Sequence, residues 1–366
     1  MKLISEQSVH INASIPKKDV NRKMPVFYNP RMVSNRNISI LLVNSIENKE
    51  MNLAFPLTGS GVRPLRFLKE LKQGKINHLF VNDRKETFEK TFKENLKINK
   101  IPKKNISIFN EDASLFLLNR IMDKKKPSGY CGYFDYIDLD PFGTPNPFLN
   151  AATARISRKG IIAITATDTA ALSGTYPQVT RRKYWAKTRK NYMMHELGLR
   201  ILIRKVQLQG AQFDKALTPV LAYHKDHYFR IYFRSENGKK KCDAILDQHK
   251  FMLYNPKTLD FETSKSNTKE GYDSIGPLWV GNLKDQKLVE RMLQNNTFEK
   301  ETKFLTKLKE EKEICGFYDY HVIAKKYKIP LAKKELLLKK LNASITHFSP
   351  MGFKTNKKID EIIKIL

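Results

Sequence analysis

The stretch Tyr133–Ala152, YFDYIDLDPFGTPNPFLNAA, decides how the chain is read. Aromatic and aliphatic residues alternate with three acids, Asp135, Asp138 and Asp140, as in a strand that enters a core. The run then breaks at Asp-Pro-Phe-Gly, residues 140–143. A plain turn is one account, because Asp-Pro starts turns readily. The second account is chemical. In an open α/β sheet, ligands lie outside the carboxyl ends of the strands. Asp138 and Asp140 are two residues apart, so both face the same way at such an end.

The flanking sequence supplies the sheet. MNLAFPL (51–57), INHLFVND (76–83), ISIFNED (106–112) and GIIAITATD (160–168) read as further strands. Between them VRPLRFLKELKQ (62–73), RKETFEKTFKENLKIN (84–99), ASLFLLNRIM (113–122) and NPFLNAATARIS (146–157) read as helices. This alternation predicts an α/β fold, a Rossmann-like and mostly parallel sheet. KLISEQSVHINAS near the start predicts an edge strand. YMMHELGLRILIRKVQLQGAQ (192–212) predicts a long helix, and LTPVLAYHKDHYFRIYFR (217–234) two closing strands. Composition changes near residue 235, where SENGKKKCD (235–243) reads as a linker or exposed hairpin. Helical patterns then dominate, in KDQKLVERMLQ, FEKETKFLTKLKEEKE, DYHVIAKKY and AKKELLLKKL. The expected domains are residues 1–235 and a smaller α+β domain, residues 236–366.

The 366 residues carry 67 Lys+Arg against 37 Asp+Glu, a formal net charge of +30. Such a field favours a polyanionic partner, with nucleic acid foremost. A lysine-rich surface bias is the alternative explanation. Cys131, Cys242 and Cys315 lie far apart and form no disulfide framework or Cys-x-x-Cys pair. No apolar run is long enough to span a membrane. The first residues lack the apolar block of a signal peptide. The expectation is a cytoplasmic protein with no metal, and no protein partner is inferable.

Gly59 and Gly61 after the first core strand allow a tight turn whose N–H groups can face a ligand. Asp83, at the end of the next strand, is placed for ribose hydroxyls. Asp112 and Ala113 are placed to border an adenine, although a helix N-cap explains any one of these acids. The cofactor is a dinucleotide or S-adenosyl-L-methionine, and the missing third glycine of the dinucleotide fingerprint, where Pro64 stands, favours S-adenosyl-L-methionine. An exocyclic amine attacks a sulfonium methyl only when its lone pair is aimed and its hydrogens have an acceptor. Asp140 supplies such an acceptor, and with Asp138 on the same face both are candidate catalytic residues, one holding the base or the cofactor while the other acts on the amine. Pro141 fixes the backbone, and Phe142 offers a face for the base.

The chain resembles the tRNA guanine-26 N2,N2-dimethyltransferase family in its archaeal form. The likeness rests on PVFYNPRMVSNRNIS (25–39), GSGVRPLRF, IDLDPFGTPNPFL, TATDTAALSGTYP, HELGLRILI, YHKDHYFRIYFR, GPLWVGNL and ASITHFSPMGFKTN, from one end to the other. It implies a class I methyltransferase domain with a C-terminal tRNA-binding domain. It also implies one or two methyl transfers to N2 of guanine 26. Arg36 and Arg66 match family cofactor contacts, as do Asp83, Asp112 and Ala113. Asp140 matches the catalytic aspartate. Phe27 and Phe142, with Asn29 and Pro141, match the surroundings of the target base. Three features depart from the family. Phe55 and Pro56 stand where relatives often carry an acid. The paired cysteines that hold zinc in many relatives are missing, so no zinc is expected. Ile345 stands where an Arg is usual. The alternatives are another nucleic-acid amine methyltransferase and a non-catalytic basic RNA-binding protein. The remaining histidines, His195, His227 and His347, read as structural.

Overall fold

The computed structural model describes residues 2–14, 26–120, 130–330 and 333–365. A hairpin of β1 (Lys2–Glu6) and β2 (Val9–Ala13) comes first and forms its own two-stranded sheet, rather than an edge of the main one. A 3-10 turn, Pro30–Met32, leads into α1 (Val33–Ser45). Asn29 caps that turn, its side-chain oxygen accepting the Arg31 N–H at 3.0 Å. The alternating elements follow: β3 (Met51–Phe55), α2 (Val62–Glu70), β4 (Ile76–Asn82), α3 (Phe88–Ile98) and β5 (Ile106–Phe109). Next come α4 (Ala113–Asn119), β6 (Phe134–Leu139), α5 (Leu149–Arg155) and β7 (Ile156–Ala166). Positions 121 and 122 of the helix expected over 113–122 lie outside the described residues.

These strands belong to a seven-stranded sheet of order β5-β4-β3-β6-β7-β9-β8. The pairs β3–β4, β4–β5, β3–β6 and β6–β7 are parallel. Every residue of β3 is buried, as a central strand covered on both faces requires. The chain moves outward from β3 to β5 and then returns to lay β6 on the other side of β3. That reversal makes a switch point between β3 and β6, where such sheets open a ligand crevice.

The chain continues through α6 (Thr169–Leu172), α7 (Pro177–Tyr184) and α8 (Met194–Ala211). β8 (Lys215–Lys225) and β9 (Tyr228–Asn237) are joined by two residues, the connection of an antiparallel hairpin. The expected linker at 235–243 is instead the end of β9 followed by α9 (Lys239–Leu246), which buries Cys242 and Ile245. Its lysines are spaced so that those two apolar residues share a face. The boundary expected near residue 235 therefore falls within β9.

Beyond it, β10 (His249–Tyr254) is flanked by β11 (Phe261–Ser264) and β12 (Asp273–Trp279) in one antiparallel sheet. The helices α10 (Gln286–Gln294) and α11 (Glu299–Glu310) follow. β13 (Tyr318–Asp319), α12 (Tyr320–Tyr327), α13 (Lys334–Lys340), β14 (Ser344–Ile345), β15 (Gly352–Lys354) and α14 (Ile359–Ile365) complete the chain. β15 pairs with both β13 and β14, so Ile345 lies opposite Phe353. By contacts, one compact unit holds Met1–Ala166, Tyr232–Asn237 and Arg291–Glu301. The other holds Thr167–Ile231, Gly238–Glu290 and Thr302–Leu366. No helix among the described residues is long and apolar enough to cross a membrane.

Candidate active site

The crevice residues belong to the first unit and stand just past the carboxyl ends of its strands. After β3 the backbone turns tightly, with the Gly61 N–H donating to the Thr58 carbonyl at 3.1 Å. Gly59 (φ +61°) and Gly61 (φ +84°) both occupy left-handed backbone, for different reasons. A Cβ on Gly61 would lie 2.6 Å from the Phe92 ring, so this glycine lets α2 and α3 close together. A Cβ on Gly59 would meet only the Phe27 carbonyl, at 3.8 Å, so the space beside it is open.

Asp83 pins that turn. Its Oδ2 accepts the Gly59 N–H at 2.7 Å and its Oδ1 the Lys85 N–H at 3.1 Å. Asn82, which sequence reasoning missed, ties three strand ends together. Its amide donates to the carbonyls of Pro56 (3.0 Å) and Glu111 (3.1 Å) and accepts the Glu111 N–H at 2.9 Å. Asp112 caps α4 through Oδ1 alone, accepting from Ser114 and Leu115. Among the described residues Oδ2 accepts nothing, so capping and ligand contact are compatible roles. Ala113 behind it is buried.

A buried cluster supports the crevice. Arg36 makes a two-pronged contact with Glu6, 2.6 Å from Nε and 2.5 Å from Nη2, and donates to the Asn29 carbonyl at 3.1 Å. Arg66 donates to Glu6 at 2.8 Å and to Glu70 at 2.7 Å. The Tyr28 hydroxyl donates to Glu6 at 2.8 Å. Burial pushes the Glu6 carboxyl up, yet Arg36 first, with Tyr28 and Arg66, holds it below its ordinary value. Burial and Glu6 push the Tyr28 hydroxyl up to about 12. Glu6 was not legible as a site residue, because its partners lie 30 and 60 positions away. The two arginines share Glu6, Arg66 takes Glu70 as well, and Arg66 is fully buried.

At the end of β6, Asp138 is buried and accepts the Tyr136 hydroxyl at 2.6 Å. The Asp140 side chain is 25% exposed. Arg63 spans the two, with Nη2 2.6 Å from Asp140 Oδ2 and Nε 3.6 Å from Asp138 Oδ1. Its Nη1 donates to Ser39 Oγ at 2.9 Å. One fork thus fixes Asp140 relative to the strand and to α1. Among the described residues Asp140 Oδ1 has no hydrogen-bond partner. Asp135 is different. It receives the Asn52 N–H at 2.9 Å and the Ser157 hydroxyl at 2.8 Å, so it stitches neighbouring strands.

Pro141 is buried and Phe142 is 38% exposed. The rings of Phe27 and Phe142 are 4.9 Å apart and inclined by 53°, an aromatic pair beside Asp140 in the chain. The position of Phe55 is a core position. It packs edge-on against Phe67 at 5.1 Å and beside Tyr136 at 6.1 Å. Among the described residues no three His, Cys, Asp or Glu side chains are grouped to hold a metal ion. The histidines singled out in the sequence lie in the second unit, where His195 stacks on His224 and His347 pairs with Glu311 at 2.5 Å.

The described crevice fits an adenosine-bearing methyl donor. It offers an open glycine turn, a carboxylate on each of two strand ends, and a half-buried carboxylate beside an aromatic pair. The chain is similar to proteins of matching chemistry. A model of the N2,N2-dimethylguanosine tRNA methyltransferase family matches residues 5–366. The tRNA (guanine(26)-N(2)/guanine(27)-N(2))-dimethyltransferase of Aquifex aeolicus is 37% identical, over 100% of this chain and 95% of that one. The tRNA (guanine(26)-N(2))-dimethyltransferase of Pyrococcus furiosus is also 37% identical, over 96% and 95%. The solved structure of Trm1 from Pyrococcus horikoshii with S-adenosyl-L-methionine superposes with a TM-score of 0.88 at 31% identity, covering 100% and 99%. This chain belongs to the N2,N2-dimethylguanosine tRNA methyltransferase family.

Proposed function

We propose that the chain transfers one or two methyl groups from S-adenosyl-L-methionine to N2 of guanine 26 in tRNA. The observation that carries this reading is Asp140, held by Arg63 through one oxygen and free at the other, next to the exposed Phe142. When bound, the cofactor supplies an electrophilic methyl group. Gly59, Gly61, Asp83, Asp112 and Ala113 form its adenosine side. Arg36 and Arg66 complete the cofactor set, with Glu6 as the carboxylate that fixes them. Phe27 and Phe142 receive the base, with Asn29 and Pro141 holding the backbone on which they stand. Stacking on such a ring is worth ~1–3 kcal/mol.

Asp140 Oδ1 accepts an N2–H bond and so turns the nitrogen lone pair away from the carboxylate. It also balances the positive charge that grows on N2 and receives the departing proton, help worth roughly 10²–10⁴-fold. Asp138, sealed by Tyr136 and Arg63, keeps the fork in place. Guanine 26 lies within the folded tRNA, so the base leaves its stack to reach these rings. Residues 1–235 carry the chemistry and residues 236–366 add tRNA-binding surface, in the cytoplasm.

The test is methyl transfer to an unmodified tRNA transcript, with nucleosides mapped by mass spectrometry. N2,N2-dimethylguanosine at position 26, lost when G26 is replaced, is the expected result. Modification restricted to position 27, or no methylated guanosine, contradicts the assignment.

A further inference from the structure

We propose that the exposed surface formed by Tyr176–Lys190, in the second unit, grips the phosphate backbone of the substrate tRNA, with the Trp185 ring placed against a base. This rests on the functional reading above. The segment TYPQVTRRKYWAKTRK, residues 175–190, contains α7 and its exit. Arg181, Arg182, Lys183, Lys187, Arg189 and Lys190 are all exposed. Lys183 pairs with Asp168, and Arg189 with Asp273. The other four cations have no ion-pair partner among the described residues. Three of the six stand in or beside the last turn of α7, where the helix dipole offers only about half a negative charge. Among the described residues no carboxylate pairs with Arg181, Arg182, Lys187 or Lys190, and a polyanion would relieve their mutual repulsion. The choice of residue points the same way. Arg36, Arg63, Arg66, Arg200 and Arg230 are buried, while Arg31 and Arg158 are single exposed arginines. Here arginines face solvent, where their planar fork suits phosphate oxygens.

The aromatic residues supply a second, independent observation. The chain has two tryptophans. Trp279 is 3% exposed, as expected of a core residue, whereas Trp185 is 49% exposed. Trp185 also occupies left-handed backbone, φ +55°, which costs a bulky residue roughly 1–2 kcal/mol. Its carbonyl accepts from Arg204 at 3.3 Å, and the Lys205 ammonium lies 2.9 Å from its ring centre. A strained, exposed and braced indole is a stacking platform prepared in advance. Tyr176, 59% exposed, precedes α7 directly. Lys187 also lines a polar surface depression of about 610 Å³ with Asn267, Thr268, Lys269, Glu270 and Asp273. A protein partner is the poorer occupant, since interface centres are depleted in charge.

The experiment titrates full-length wild-type protein, Arg181→Glu/Arg182→Glu and, separately, Trp185→Ala with unmodified tRNA transcript at several salt concentrations. Cofactor affinity, measured alongside, should stay at the wild-type value. The double variant should lose roughly tenfold or more in tRNA affinity, and its salt slope should shrink by about 1–2. Trp185→Ala should lose roughly 5- to 100-fold with little change in slope. If both variants bind tRNA as the wild type does, the surface assignment is wrong, even where the wild type methylates guanosine. If the variants lose tRNA binding but the wild type methylates no guanosine, the surface stands and the functional reading falls.

Discussion

The two compact units each bury carboxylates between cations, with opposite results. In the first, Glu6 is locked by Arg36 and Arg66, and Asp138 by Tyr136 and Arg63. The last member, Asp140, is 25% exposed, and its second oxygen has no hydrogen-bond partner among the described residues. In the second unit, Glu196 Oε1 takes Arg200, the Lys354 ammonium and the Gly316 N–H, each at 2.9 Å. Glu311 takes the Thr346 hydroxyl at 2.6 Å and His347 at 2.5 Å. No side chain of that second cluster is more than 5% exposed. Burial and pairing alone therefore do not mark a site. The mark is a rigid cluster with one member left facing solvent, beside something that can hold a substrate.

Sealing predicts a structural role, and the largest effect. Glu196→Gln leaves Lys354 and Arg200 without their shared charge, so folding stability should fall by about 3–5 kcal/mol. Methyl transfer per folded molecule should stay at the wild-type value. Chemical denaturation and a rate corrected for folded fraction read both numbers. A stable variant with lost activity would break the comparison.

Arg63→Lys should do the reverse. It keeps the charge but loses the fork that reaches Ser39, Asp138 and Asp140 together. The turnover rate should drop roughly 10- to 100-fold, on the scale of one charge-assisted hydrogen bond. Cofactor affinity should change by less than about twofold. Unchanged turnover would make Arg63 a structural residue like Arg200.

The smallest effect is acid sensitivity of the second unit. Burial, with His195, His347 and His227 nearby, pushes His224 down to about 3. Burial, with Arg204, pushes His249 down to about 4. Between pH 6.5 and those values the unfolded chain binds protons that the folded chain refuses, so stability falls as pH drops. His224 alone should cost roughly 1–2 kcal/mol between pH 7 and pH 5. Burial pushes Glu311 up, but His347 and Lys354 hold it far below its ordinary value, so its stabilisation persists through that window. Denaturation midpoints at the two pH values should differ, and His224→Phe should narrow the difference. An equal slope in the variant would remove His224 from this account.

The parallel sheet was legible because its strands are short apolar runs set between helices with apolar spacing. The C-terminal helices were legible for the same reason. Asp140 and Phe142 were readable because they stand beside a strand end with turn chemistry. Glu6 and Arg63 were not, since no periodicity reports which ion a buried arginine will meet across the sheet. Phe55, which departs from the family at a strand end, packs with Phe67 and Tyr136 in the core, a contact that no local pattern in the sequence reports. The expected linker or hairpin at 235–243 is instead the end of β9 and the start of α9, whose lysines leave Cys242 and Ile245 on one side. The hairpin β1–β2 carries Glu6 and, among the described residues, forms a two-stranded sheet of its own, so a single edge strand was the wrong expectation.

The central claim is that the open end of the first cluster performs the chemistry. Asp140→Asn tests it most directly, with single-turnover methyl transfer to tRNA followed alongside cofactor and tRNA binding. The account predicts a rate lower by about 10²–10³-fold, with both affinities within about twofold of the wild type. Methylation at the wild-type rate would contradict it.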